Sequence, residues 1–229
     1  TGAMTDKTET AAQPEADGIE VKGCFPTPVI IAQTPMDGEE NSRLAKTILA
    51  HEKETPGVTF SNLSGWQSAD DFDQWGGKEG MKVLGIAHSI ADRLTGDRTG
   101  KPVKVNWRIN AWANVNRTGH ANDFHAHPGS FLSGCYYVDD GGIGDDPALG
   151  GAFQIMDPRG VMPAMYLPEL AISLAGCQSA GAAETITPKV GKMILFPAWL
   201  SHGVRPYLGK GTRISIAFNF FIPPQMESK

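Results

Sequence analysis

His125, His127, His202 and Arg213 are the residues of this chain whose types and spacing best suit chemistry. The first two stand in the run Asn122-Asp123-Phe124-His125-Ala126-His127-Pro128. Side chains alternate along a strand with period two, so a His-x-His pair there turns both imidazoles to one face. His202 ends the run Phe196-Pro197-Ala198-Trp199-Leu200-Ser201-His202, and a third imidazole brought in from that distance closes a metal site. Arg213 follows eleven residues later, with Ser215 two beyond it. A guanidinium can grip a carboxylate through two parallel hydrogen bonds. The set suits a metal ion with an anionic co-substrate lying beside it.

Neutral imidazole ligates iron, nickel, copper and zinc, and mononuclear iron oxygenases commonly use two histidines and one carboxylate on one face of the ion. Two ligand sets are therefore open. In one, His125, His127 and His202 form a neutral triad. In the other, Asp123, on the same strand face as His125 and His127, replaces one imidazole. His-x-His alone is a weak signal. It gains weight from His202, which follows the apolar stretch Lys192–Phe196, and from Arg213-x-Ser215. His51, His88 and His120 read as ordinary helix or surface histidines. Ile214, Ile216 and Phe218 alternate with Arg213, Ser215, Ala217 and Asn219, so one face of that strand is core and the other is polar. Ser215 and a tyrosine, Tyr136 or Tyr137, could add donors beside Arg213. Asn114 and Asn116 lie on a strand entering the site. Asn114 and Trp199 are candidate substrate-pocket residues, and Trp112, Phe124, Phe131 and Tyr207 are further aromatics that could wall it.

Positioning these groups takes a β-rich scaffold. Asn41–Glu52 and the stretch from Met81 to Leu94 carry apolar residues at helical spacing. Val103, Val105, Trp107, Ile109 and Ala111 then alternate with polar residues, which is strand periodicity. Short apolar stretches follow at Phe131–Val138, Gly151–Met156, Glu184–Thr187, Lys192–Phe196 and Arg213–Ile222, separated by glycine-rich turns. An earlier strand is expected over Phe25–Ile31, a strand or loop over Val58–Ala69, and a solvated acidic loop at Asp70–Asp73. Val161–Gly181 is a candidate lid, because structureless loops of that length are usually functional or disordered. Helices followed by many short antiparallel strands predict a mainly β fold with flanking helices, a double-stranded β-helix (jelly-roll) barrel. Residues 1–20 read as a flexible leader and 21–229 as one domain with N-terminal helices. The chain has 229 residues, net charge −5 and pI about 5.7, with no basic stripe, so nucleic acid is not an expected partner. No apolar run spans a bilayer and no signal peptide is visible. Cys24, Cys135 and Cys177 are odd in number and widely spaced, which predicts a reducing, cytoplasmic setting.

The chain resembles the iron(II)/2-oxoglutarate dioxygenase superfamily over about residues 100–222. The residues that carry the resemblance are Asn122-x-x-His125-x-His127-Pro128, Ser133-Gly134-x-Tyr136-Tyr137, Asp157-Pro158-Arg159, Gly191, Phe196-Pro197-x-Trp199-x-x-His202 and Arg213-x-Ser215-x-x-x-Asn219. It is most similar to a bacterial and phage branch akin to prolyl-4-hydroxylases, with His-x-His in place of His-x-Asp. The resemblance implies iron(II) held by His125, His127 and His202. It also implies 2-oxoglutarate as co-substrate, its distal carboxylate on Arg213, Ser215 and Tyr137. The implied activity is O2-dependent hydroxylation of a small-molecule or peptidyl substrate, coupled to decarboxylation of 2-oxoglutarate to succinate. Two other readings stand beside it: a cupin-like three-histidine dioxygenase that does not use 2-oxoglutarate, and a non-catalytic jelly-roll binding module.

Overall fold

The computed structural model describes residues 25–160 and 183–223. The leader expected over 1–20 and the lid expected over Val161–Gly181 lie outside these residues.

Helix α1 (Gly38–Glu54) begins at a capping box. The Asp37 carboxylate accepts from the Glu40 backbone N–H at 2.7 Å, and Glu40 accepts from the Asp37 N–H at 3.1 Å. The same Glu40 pairs with Lys82, and Arg43 with Glu79, lacing α1 to α3 (Gly77–Leu94). The acidic stretch Asp70–Asp73 is partly helical rather than a plain loop. Short α2 (Phe72–Trp75) starts there, with Asp71 accepting from the Trp75 indole.

The strands form two antiparallel sheets. The larger runs in the order β1 (Ile30–Gln33), β9 (Lys192–Pro197), β6 (Leu132–Asp140), β11 (Arg213–Phe221), β4 (Arg108–Asn116) and β3 (Trp66–Gln67). The smaller runs β2 (Asn62–Leu63), β5 (Ala121–His125), β10 (His202–Val204), β7 (Phe153–Met156) and β8 (Ala183–Ile186). This is the expected double-stranded β-helix arrangement, with one correction. Among the described residues no hydrogen-bonded ladder joins the two sheets, so they face each other without closing into a barrel.

Alternation on the larger sheet sorts its residues between two cores. Ala111, Ala113, Val115, Tyr136, Val138, Met193, Leu195, Ile214, Ile216, Phe218 and Phe220 turn outward onto Leu44, Ile48, Val83, Leu84, Ala87 and Ala91 of the helices. Cys135, Tyr137, Ile194 and Phe196 turn inward and meet Phe153, Ile155 and Leu200 between the sheets. Asn114, Asn116, Arg213 and Ser215 are buried among the inward-facing positions of β4 and β11. A polar strip is thus built into the space between the sheets, and it needs partners there.

Candidate metal centre

Two of the three imidazoles face each other across one ladder. His202 of β10 pairs directly with His125 of β5. His127 lies just past the end of β5, where its N–H bonds the Ala198 carbonyl at 2.9 Å in the turn after β9. One ring nitrogen from each of His125, His127 and His202 lies within 4.8 Å of the other two. The Nε2 atoms of His127 and His202 are 3.3 Å apart, a span that one ion bonded at about 2.0–2.1 Å to each can bridge.

Backbone carbonyls fix two of the rings. His202 Nδ1 lies 2.8 Å from the Leu200 oxygen, and His125 Nδ1 lies 2.7 Å from the Asp123 oxygen. A carbonyl only accepts, so the proton sits on Nδ1 and each Nε2 keeps its lone pair for a ligand. This is the outer-shell arrangement of metal-binding histidines. Burial also holds His202 and His127 in their uncharged, ligating form. It lowers His202 to about 3 and His127 to about 4, with the charge of neighbouring imidazoles adding to the effect. Asp123 is exposed, and its carboxylate stands outside the three-imidazole cluster.

An internal cleft of about 520 Å3, open mouth included, runs from these rings to the strip on β4 and β11. Arg213, Ser215, Asn114 and Cys135 line it together with the three histidines. Arg213 is 2% exposed, yet no acid pairs with it among the described residues. Its Nη1 makes one long 3.4 Å bond to Asn116, its Nε has no partner, and the guanidinium lies 5.2 Å from the centre of the Tyr137 ring. The Tyr137 hydroxyl is likewise buried without a partner, and burial pushes it well above the usual phenol range. Two orphaned donors at one place are costly unless a ligand supplies acceptors. A carboxylate supplies them to both, so these residues fit the acid end of 2-oxoglutarate as the imidazoles fit a divalent ion.

Residues 110–219 match the family model of the 2OG-Fe(II) oxygenases. The match takes in just under half of the chain. It marks the protein as an oxidoreductase whose cofactors are iron(II) and 2-oxoglutarate. No curated protein matches the chain in sequence. Among solved structures, a Pseudomonas putida prolyl-4-hydroxylase superposes with TM-score 0.58 at 13% identity, covering 85% of this chain and 92% of that one. A Trichoplax adhaerens prolyl hydroxylase, solved with a hypoxia inducible factor oxygen degradation domain peptide fragment, gives 0.55 at 14%, covering 84% and 83%. HygX of Streptomyces hygroscopicus, solved with nickel and 2-oxoglutarate bound, gives 0.53 at 11%, covering 89% and 86%. At these identities the likeness is one of fold.

Other expected site residues are placed unevenly. Asn114 and Trp112 line the cleft. Trp199 is 60% exposed in the turn after β9 and lines neither the cleft nor the groove outside it. Tyr136 points the other way, donating to Asn41 of α1 at 2.6 Å. His120, His88 and His51 lie elsewhere. His120 accepts from the Arg117 N–H in a turn, His88 is half-exposed on α3, and His51 stacks on Trp75. Ser61 and Gln67 carry no signal in the sequence, yet both line the cleft, and the Ser61 hydroxyl is 3.4 Å from His125 Nε2. Gln67 arrives on a two-residue strand and Ser61 directly before another, both too short for any periodicity to register. No helix among the described residues is long and apolar enough to cross a membrane.

Proposed function

We propose that this protein is a hydroxylase in which His125, His127 and His202 hold iron(II) and Arg213, Ser215 and Tyr137 hold the distal carboxylate of 2-oxoglutarate. The described residues act as one oxygenase domain working on a small-molecule or peptidyl substrate. The observation that carries the reading is the acid-free burial of Arg213 beside the orphaned Tyr137 hydroxyl, in the same cleft as the imidazoles. When bound, iron and 2-oxoglutarate supply oxygen activation: O2 is split between succinate, formed with loss of carbon dioxide, and a substrate C–H bond that becomes C–OH.

The chain's own contribution is geometry and charge. Leu200 and Asp123 carbonyls aim two imidazoles before any ion arrives, so little ordering is left to do on binding. Three neutral ligands leave the ion's full charge to attract a dianionic co-substrate, in contrast to a set containing a carboxylate. Arg213 fixes the far end of that co-substrate with a planar fork, and the Tyr137 hydroxyl donates from the side. Phe153 and Phe196 line the same cleft and keep water from its floor. A three-histidine enzyme working without 2-oxoglutarate would leave Arg213 and Tyr137 buried with nothing to hold.

The test is an anaerobic titration of the metal-free protein with iron(II) and then 2-oxoglutarate, followed in the visible range. A charge-transfer band is expected, absent in His202→Ala and displaced to higher 2-oxoglutarate in Arg213→Ala. A full band in His202→Ala would remove the proposed ligand set.

A further inference from the structure

Resting on that reading, we infer that the substrate is a cation, an apolar chain ending in an alkylammonium or guanidinium group, bound in the groove outside the metal centre. The groove has a volume of about 1350 Å3, open face included, and shares Ser61, Gln67, Trp112, His125 and His127 with the inner cleft. The two spaces therefore meet at the imidazoles. Arg213 and Ser215 line only the inner one, while Asp70 and Asp123 line only the outer one.

Asp70 and Asp123 are the carboxylates lining the groove, and no Lys or Arg lines it among the described residues. Neither carboxylate has an ion-pair partner among the described residues, whereas Glu40, Glu52 and Glu79 each hold a Lys or Arg. Asp70 accepts only a long 3.4 Å bond from the Asn110 amide. Asp123 is held in place by its backbone, whose N–H bonds the Ser61 carbonyl at 2.9 Å. The walls are aromatic. Trp112 lies beside His127 with ring centroids 5.8 Å apart, and Phe60 and Phe124 are 80% and 46% exposed at the rim.

Aromatic faces with carboxylates are the chemistry that recognises an ammonium or guanidinium, and an apolar stem can lie along the same rings. The charge layout also keeps the two reactants apart. A dianion is drawn to Arg213 and repelled from Asp70 and Asp123, and a cation the reverse, so neither is drawn to the other's seat. A substrate anchored at the rim by its charge would present a carbon of its stem, rather than its head group, to the imidazoles.

The probes are Nα-acetyl-lysine amide, Nα-acetyl-arginine amide and the uncharged Nα-acetyl-norleucine amide. Each is titrated anaerobically into protein loaded with iron(II) and 2-oxoglutarate, reading the shift of the visible band and the heat of binding. Both cations are expected to bind about tenfold tighter than the norleucine probe. The preference should vanish in the double variant Asp70→Asn, Asp123→Asn. Equal binding of the three probes, no binding of any, or a preference that survives in the double variant overturns the assignment. A missing iron–2-oxoglutarate band in the unsubstituted protein sinks the underlying reading instead. The heats of the same probes then still report the groove's charge preference.

Discussion

Replacing Arg213 by methionine should move stability and co-substrate affinity in opposite directions. The guanidinium is buried between the sheets with no acid, one long contact to Asn116 and an unpartnered Nε. The face of Tyr137 repays part of that cost through a cation–π contact of about 0.5–2 kcal/mol. Exchanging a buried charge for an apolar side chain of similar volume is often neutral or stabilising by about 1–4 kcal/mol. Arg213→Met is therefore expected to leave the metal-free protein at least as stable as before. Binding of 2-oxoglutarate should suffer, because two charge-assisted hydrogen bonds worth about 1.5–3 kcal/mol each disappear. That sum corresponds to a loss of about two to four orders of magnitude in affinity. Urea unfolding of the metal-free protein measures the first quantity, and the 2-oxoglutarate dependence of the visible band measures the second. Affinity within about threefold of the original, or a loss of several kcal/mol of stability, would show that Arg213 serves the fold and not the co-substrate.

Three further outcomes follow from the same geometry. Tyr137→Phe removes a buried hydroxyl that bonds nothing in the free protein, so 2-oxoglutarate should weaken by about tenfold without loss of stability; a destabilised variant with unchanged affinity would contradict this. His202 and His127 stay neutral in the fold down to about 3 and about 4 but take up protons near 6.5 when unfolded, so the unfolded state binds more protons below pH 6.5 and metal-free stability falls as pH drops through that window. At pH 5 the loss is about 2 kcal/mol from His202 and less from the more solvent-screened His127, and denaturant midpoints that do not differ between pH 7 and pH 5 would refute it. Gly134→Ala should cost about 1–3 kcal/mol, because its Cβ would meet the Ile194 carbonyl and the Phe218 ring, both at 2.5 Å; thermal unfolding reads this directly, and an unchanged midpoint would show that the strands can part.

Much of the site was legible because it sits on strands, where parity settles direction. Arg213, Ser215 and Ala217 were separable from Ile214, Ile216 and Phe218 by alternation alone, and they line the cleft as that alternation requires. The parity of Tyr136 and Tyr137 needs the register of β6 against β11, which no local pattern contains. Ser61 and Gln67 were invisible for a similar reason: Gln67 lies on a two-residue strand fixed by pairing with β4, and Ser61 directly precedes one fixed by pairing with β5. Trp199 lies in a turn, where no period applies, so alternation gives its side chain no direction. The first strand begins at Ile30 rather than Phe25, consistent with Pro26 and Pro28 lacking the N–H a ladder needs. The start of α1 was also readable in principle, since Asp37 and Glu40 have the spacing of a capping box.

The pairing of His125 with His202 also bears on how the molecule folds. His127 and His202 lie 75 residues apart, and Arg213 lies 97 from Asn116. The segment around His125 and His127 brings only two of the three imidazoles, and His202 and Arg213 come from other strands, so the complete site waits for distant segments to meet. Loops of this length close late and slowly. During refolding, metal uptake should therefore lag behind the formation of α1 and α3 and coincide with the docking of β10 against β5. A slip of one residue in that pairing would turn His202 away from its partners, which makes metal capture a readout of correct strand register.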